Sequence, residues 1–434
     1  MNKTHFIILI IGLFFFHSCE EKIDSEIIAT VGSSIITAND FTEAYSNKLI
    51  NTKAEDSEFE RRRTLDELIQ TKLYAEAARS KNFTLDSIGV NRVQLTKDLA
   101  LREELYNQSI GSKIPTIHDS TTRKHFKWKN TEILLKHLYH HTKKALDTLV
   151  PLITNDPTMF NVYANKLFKD NNLKESGGSL GWVSYNTLDP HLEHMAFSMP
   201  IDKAIGPIRS SYGWHILLKK DEREQIIISE NDYQNAKRGL NNTILKKQSQ
   251  IMANNYVNNL MEDGVIIDEI LVMNTLRKIH AIVFEKNNQK KNIKPKNSQE
   301  LTKFIIDLKS NSNITLAKYK KGSFTINDLL NNLRNSDPKI FLDNPIQAFY
   351  ISLRNKILTT EAINLGFLNS KNVQRKVKSK EDQYMAREFL LSLSNNNDKT
   401  NFSKKEIKNI TEKLKTQFSV AIYNENLYSL FQIN

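Results

Sequence analysis

With 434 residues, 39% of them hydrophobic and 25% charged, the chain is too long for one ordinary core and too apolar to stay unfolded, so two or three domains are expected. A net charge of +12 raises nucleic acid as a partner, but the lysines are scattered among asparagines and no recognised nucleic-acid fold surrounds them. A single cysteine excludes an intrachain disulfide.

Residues 1–18 read as an export signal: Lys3 and His5 precede an apolar run from Phe6 to Phe16, too short for the about twenty residues that cross a bilayer. Cys19 follows directly. From Ile27 the pattern is a short strand to Val31, a turn at Gly32-Ser33-Ser34, a second strand around Ile35 and Ile36, and a helix start over Thr37 to Asp40. Leu65, Leu68, Ile69, Leu73 and Ala77 then recur at helical spacing.

Over 131–222 the pattern changes to alternating strands and helices. Strands are expected at Ile133 to Tyr139, Leu180 to Ser184, Ile205 to Ile208 and Trp214 to Lys219. Helices are expected at Met159 to Phe168 and Pro190 to Met199, with a polar, glycine-bearing loop from Lys169 to Gly178. An α+β domain with an antiparallel sheet follows. Beyond it, Ser229 to Glu262 reads as one helix with Tyr233, Ala236, Leu240, Ile244, Ile251 and Leu260 on one side. The Lys- and Asn-rich run Asn287 to Ser298 reads as a linker.

The opening plan recurs near the C-terminus. Tyr319 to Leu329 aligns with Val31 to Phe41 on a shared Thr-x-Asn-Asp, and Lys356 to Ala362 aligns with Lys72 to Ala78. This repetition argues for a second helical module over 270–434.

Four blocks fall in one order: Lys136-His137-Leu138, Ser176 to Trp182, Pro190 to Phe197, and Gly206-Pro207-Ile208 leading to Ser211-Tyr212-Gly213-Trp214-His215-Ile216. Together they resemble the parvulin family of peptidyl-prolyl cis/trans isomerases, and the flanking helical regions resemble those of SurA- and PrsA-type exported foldases. The resemblance implies a parvulin domain at 131–222 inserted in a mainly helical chaperone domain made of 19–128 and a completing helix at 229–265. A chaperone-like α-rich module at 270–434 would follow.

It further implies a centre built on His137 and His215, with Asp170 as the polar group that weakens the amide double bond electrostatically. Leu180, Leu188 and Leu192, with Ser210 and Tyr212 beside them, would seat the proline ring. Leu192 stands where many active parvulins carry phenylalanine, and Tyr212 replaces a usually small residue, so a non-catalytic holding chaperone is the alternative. The position of Cys19 resembles the lipobox of bacterial lipoproteins, implying a lipid anchor, with the periplasmic face of the outer membrane as the expected address.

The expected partners are unfolded exported polypeptides containing X-Pro bonds, with no nucleic acid and no cofactor. A metal is not expected either. In the cluster His137, His140 and His141, strand alternation points His140 away from His137, and the second cluster, His191 with His194, is not part of a His-Glu-x-x-His pattern.

Overall fold

The computed structural model describes residues 27–140, 142–156, 158–210, 213–224, 229–262, 264–289, 298–334, 338–394 and 402–431. Residues 1–26, with Cys19, and most of the expected linker lie outside the described residues, as does Tyr212. The strands are β1 (Ile27–Val31), β2 (Ser34–Thr37), β3 (Thr131–His140), β4 (Ser179–Ser184), β5 (Ala204–Arg209), β6 (Trp214–Glu224), β7 (Ile266–Ile267), β8 (Thr315–Tyr319), β9 (Gly322–Thr325) and β10 (Val420–Ile422). They form three antiparallel sheets in a mostly helical chain. Two compact units result: one holds the described residues up to Ala100 and from Asn369 on, the other Leu101–Leu368.

In the first unit the sheet order is β10-β1-β2. Thr37 ends β2 and caps the helix Ala38–Asn51: its side chain accepts from Asp40 N–H while the Asp40 carboxylate accepts from Thr37 N–H, which satisfies two otherwise orphaned donors. Leu65, Ile69, Leu73 and Ala77 of the helix Glu58–Ser80 are buried against Val31, Ile36 and Phe41, so the expected stripe faces the core. The helix Lys371–Leu393 packs along that same helix, and β10 adds its strand to β1.

The second unit carries two sheets. Its larger one has the order β4-β3-β6-β5, and alternation along the central strands sends Ile133, Leu135 and Leu217 into one core and Leu138, Ile216 and Leu218 into the other. The helix Pro190–Ser198 contributes Leu192, Ala196 and Phe197 to the first, and Met159–Leu167 contributes Phe160 and Ala164 to the second. The smaller sheet, β7-β8-β9, copies the plan of the first unit. Thr325 and Asp328 repeat the Thr37–Asp40 cap, and Phe324 and Leu329 are as buried as Ile36 and Phe41. In both hairpins the register slips at the same step, between Ile27 and Ala29 and between Thr315 and Ala317.

The long helix Glu230–Glu262 packs on Asp119–Lys129, the last part of the expected N-terminal region 19–128, and on Pro190–Ser198 and Pro345–Asn364, all in the second unit. Its anchor is Tyr233, which donates to Asp119 at 2.5 Å beneath the Arg123 guanidinium, while Thr122 donates to Asn241 at 2.6 Å. The described residues up to Ala100 share their core with 369–434, where the buried Lys72 ammonium finds its carboxylate in Asp382. The stretch 270–434 is accordingly divided between the two units at Leu368.

Candidate active site on the four-stranded sheet

β3 and β6 pair so that Tyr139 lies opposite His215 and His137 opposite Leu217. That register puts both imidazoles on one face of the sheet as diagonal neighbours. Their ring centroids are 5.8 Å apart and nearly parallel. Phe168, at the end of the helix Met159–Leu167, stacks on His137 at 5.1 Å, and Tyr139 leans on His215 at 5.2 Å.

Burial, more than any charge, sets the protonation of the pair. It pushes His137 from its ordinary 6.5 down to about 4, with His215 as the second cause, and it pushes His215 down to about 4 against the opposing field of Asp189. Both rings are therefore neutral near pH 7. His215 Nε2 lies 2.8 Å from Ser210 Oγ, and Ser210 also reaches the Gly213 carbonyl at 3.4 Å. His137 Nε2 and His215 Nδ1 are buried without a hydrogen-bond partner in the protein, so the site presents two ring nitrogens with unused capacity.

Glycine lets this geometry close. Gly178 has φ +75, its N–H donates to Leu173 O at 2.6 Å and its carbonyl accepts from His137 N–H at 2.8 Å. A methyl group there would meet the His137 carbonyl oxygen at 2.2 Å. Only glycine combines the left-handed backbone with that approach.

Asp170 stands two residues after Phe168, the ring that stacks on His137. Its exposed carboxylate accepts from Leu173 N–H at 2.9 Å and caps the short helix Asn171–Glu175, an element within the stretch expected to be loop. The carboxylate whose field reaches His215 is Asp189, the N-cap of Pro190–Ser198, whose Oδ1 accepts from His191 N–H at 3.0 Å. Sequence reasoning used Pro190 to start that helix and passed over the Asp before it, although Asp-Pro is the cap signature. Phe168 and Tyr139 were likewise missed as neighbours of the histidines. Only Tyr139, two residues from His137 on one strand, carried a signal.

Leu188 and Leu192 come together in one apolar cluster with Met195 and Phe197, Leu192 being 6% exposed. Leu180 is 38% exposed on β4 and belongs to neither core of the sheet. Among the described residues no group of three or more His, Cys, Asp or Glu is placed to hold a metal. No helix among them is long and apolar enough to cross a membrane.

Residues 133–221 match the rotamase family model, described as a PPIC-type PPIASE domain. The chain is 25% identical over 271 residues to the foldase protein PrsA of Oceanobacillus iheyensis, covering 59% of this chain and 87% of that one. It is 34% identical over 67 residues to the chaperone SurA of Chromobacterium violaceum, a match spanning 15% of this chain and only 16% of that protein. Among solved structures, a SurA-like chaperone of Campylobacter jejuni, from work on PEB4 and Cj1289, is similar at 19% identity over 55% of this chain and 98% of its own, with a TM-score of 0.22. The foldase PrsA of Streptococcus pneumoniae is similar at 15% identity over 63% and 96%, with a TM-score of 0.25.

Proposed function

We propose that this chain, which contains a PPIC-type parvulin domain over 133–221 and has SurA and PrsA chaperones among its relatives, is a foldase that turns X-Pro bonds in unfolded exported polypeptides while its helical parts hold them. The observation that carries the reading is the buried, neutral His137–His215 pair, each ring with one unused nitrogen, on the sheet whose adjoining helix sets Leu192 beside Leu188.

The reaction breaks no covalent bond. An X-Pro amide resists rotation because conjugation favours the planar form by a barrier of about 18–20 kcal/mol. A site lowers that barrier by binding the twisted amide better than the planar one. Leu188 and Leu192 seat the proline ring, with the exposed Leu180 as a flank. His137 and His215 offer hydrogen-bonding nitrogens in a setting that excludes water, where the loss of conjugation costs least. Ser210 holds the His215 ring, and Asp170 shapes the approach to Gly178 by capping Asn171–Glu175. Tyr212 is assigned to the rim of the proline seat from its sequence position alone.

Export follows from the segment 1–18, and Cys19 is the residue to which a lipid anchor on the periplasmic face of the outer membrane is assigned. Labelled palmitate fed to expressing cells tests the anchor, with Cys19→Ala abolishing incorporation.

One observation favours the second reading, a holding chaperone without turnover. Leu192, where many active parvulins carry phenylalanine, is 6% exposed and spends its side chain on the core. Exchange spectroscopy on an X-Pro peptide separates the two. The isomerase reading expects acceleration by the full chain and its loss in a His137→Ala/His215→Ala variant. Equal rates with and without the protein leave only the holding role, which suppression of client aggregation then checks.

A further inference from the structure

Four residues lie between Tyr185, which follows β4, and the helix Pro190–Ser198, and one of them, Leu188, belongs to the proline seat proposed above. Asn186 within this loop holds φ +74, a left-handed conformation that asparagine enters more readily than most residues. Glu193 holds it there. Its carboxylate, on a residue only 1% exposed, accepts the Asn186 N–H with one oxygen and pairs with the Lys247 ammonium through the other. The same ammonium sits 3.7 Å from the centre of the Tyr185 ring. Lys247 therefore grips the entry to the loop twice, at Tyr185 through a ring face and at Asn186 through the Glu193 carboxylate.

Lys247 belongs to the long helix Glu230–Glu262, outside the isomerase fold. We infer that Lys247 is a positioning residue for prolyl isomerisation: through Glu193 and Tyr185 it fixes the loop that presents Leu188 and Asp189, so the helical part of the chain sets the geometry of the proline seat. The reason the pair has this reach is its burial. A carboxylate so enclosed that loses its cation keeps a large desolvation penalty, and the cheapest relief is for the loop to open and let water in. A seat displaced by about an ångström loses roughly tenfold or more in rate.

This inference rests on the isomerase reading, and the test separates the two failures. Full-length Lys247→Met is compared with wild type and with the double variant Glu193→Gln/Lys247→Met, in which the amide carbonyl introduced at position 193 still accepts from Asn186 and no buried charge remains. Exchange spectroscopy on an X-Pro peptide is expected to show kcat/KM down by roughly tenfold in the single variant and back to within about threefold of wild type in the double. Amide hydrogen exchange at 185–189 is expected to rise in the single variant and return in the double. A single variant that is folded and as active as wild type overturns the inference, as does a double variant no better than the single. If wild type itself does not isomerise, the isomerase reading fails, and hydrogen exchange alone decides whether Lys247 orders the loop: no change at 185–189 refutes it.

Discussion

Lys72 and Asp382, 310 positions apart in the chain, meet at 2.6 Å within the first unit, and both are buried. Arg79 shares the same carboxylate, while Glu76, one helical turn on from Lys72, accepts from Ser34 at 2.6 Å in the β1–β2 hairpin. The end of the chain is thus wired into its beginning by charges that cannot face water instead. Asp382→Ala strips the carboxylate from Lys72, Arg79 and the more distant Lys378, and removing one partner of a buried pair costs about 3–5 kcal/mol. Urea unfolding is expected to show that loss. Lys72→Met/Asp382→Leu, which removes charge from both sides, is expected to recover more than half of it.

Gly178 ends the loop into β4, and Gly181 lies within that strand. Gly178 and Gly181 both have left-handed backbones, φ +75 and +71, but a methyl on Gly178 strikes the His137 carbonyl oxygen while one on Gly181 meets nothing within 4 Å. Gly181→Ala is therefore expected to carry only the conformational cost of about 1 kcal/mol. Gly178→Ala adds a displacement of β3 at His137, with a total of about 3 kcal/mol or more. Prolyl exchange is expected to collapse only in Gly178→Ala. Equal effects from the two would show that the contact with His137 is not what selects glycine.

Much of this was legible beforehand because it is periodic or local. The stripe Leu65, Ile69, Leu73 and Ala77 faces the core as its spacing requires, and the paired Thr-x-Asn-Asp segments form the same hairpin and cap twice. The histidines meet because strand register places them diagonally, and what pointed to the pair beforehand was the four-block resemblance to parvulins. What escaped reading was non-local. Neither β7 nor β10 has a pattern of its own, being two and three residues long, and each exists because an edge of a hairpin accepts it. The partner of Lys72 could not be chosen among many acidic residues by spacing. The cap that Asp170 makes to Leu173 N–H escaped because the short helix it starts, Asn171–Glu175, has no apolar period.

Stability is expected to fall with acid in a defined window. His137, His215 and His125 are each lowered from 6.5 to about 4 chiefly by burial, His125 also by the charge of Lys247. Because their folded values lie below the unfolded one, the unfolded chain binds more protons between pH 6.5 and about 4, and stability drops as pH falls through that range. Above pH 6.5 the contribution is complete and the curve should be flat in these groups. The slope is at most about 1.4 kcal/mol per pH unit for each imidazole, and less for the partly exposed ones, where solvent screens the effect. Urea midpoints measured from about pH 8 to about pH 4 check this, and His137→Asn is expected to flatten the curve. A midpoint that stays constant down to about pH 4.5 would contradict neutral burial of the pair.

Ser210 gives the sharpest probe of how His215 is held. One arrangement accounts for both contacts of Ser210 Oγ at this ring: His215 Nε2–H donates to Ser210 Oγ at 2.8 Å, and the Ser210 hydroxyl donates to the Gly213 carbonyl at 3.4 Å. The proton then sits on Nε2, leaving the buried Nδ1 as a bare acceptor. Ser210→Ala deprives Nε2 of its partner, at about 1–3 kcal/mol for a buried group left unsatisfied. It also frees the ring to take the other tautomer. Nitrogen-15 chemical shifts of the His215 ring are expected to show a single Nε2–H form in wild type and a mixture in the variant. Prolyl exchange is expected to fall several-fold, with Ser210→Thr, which keeps the hydroxyl, close to wild type. If the ring shifts are identical in wild type and Ser210→Ala, Ser210 does not set the tautomer, and the hydrogen bond is only a packing contact.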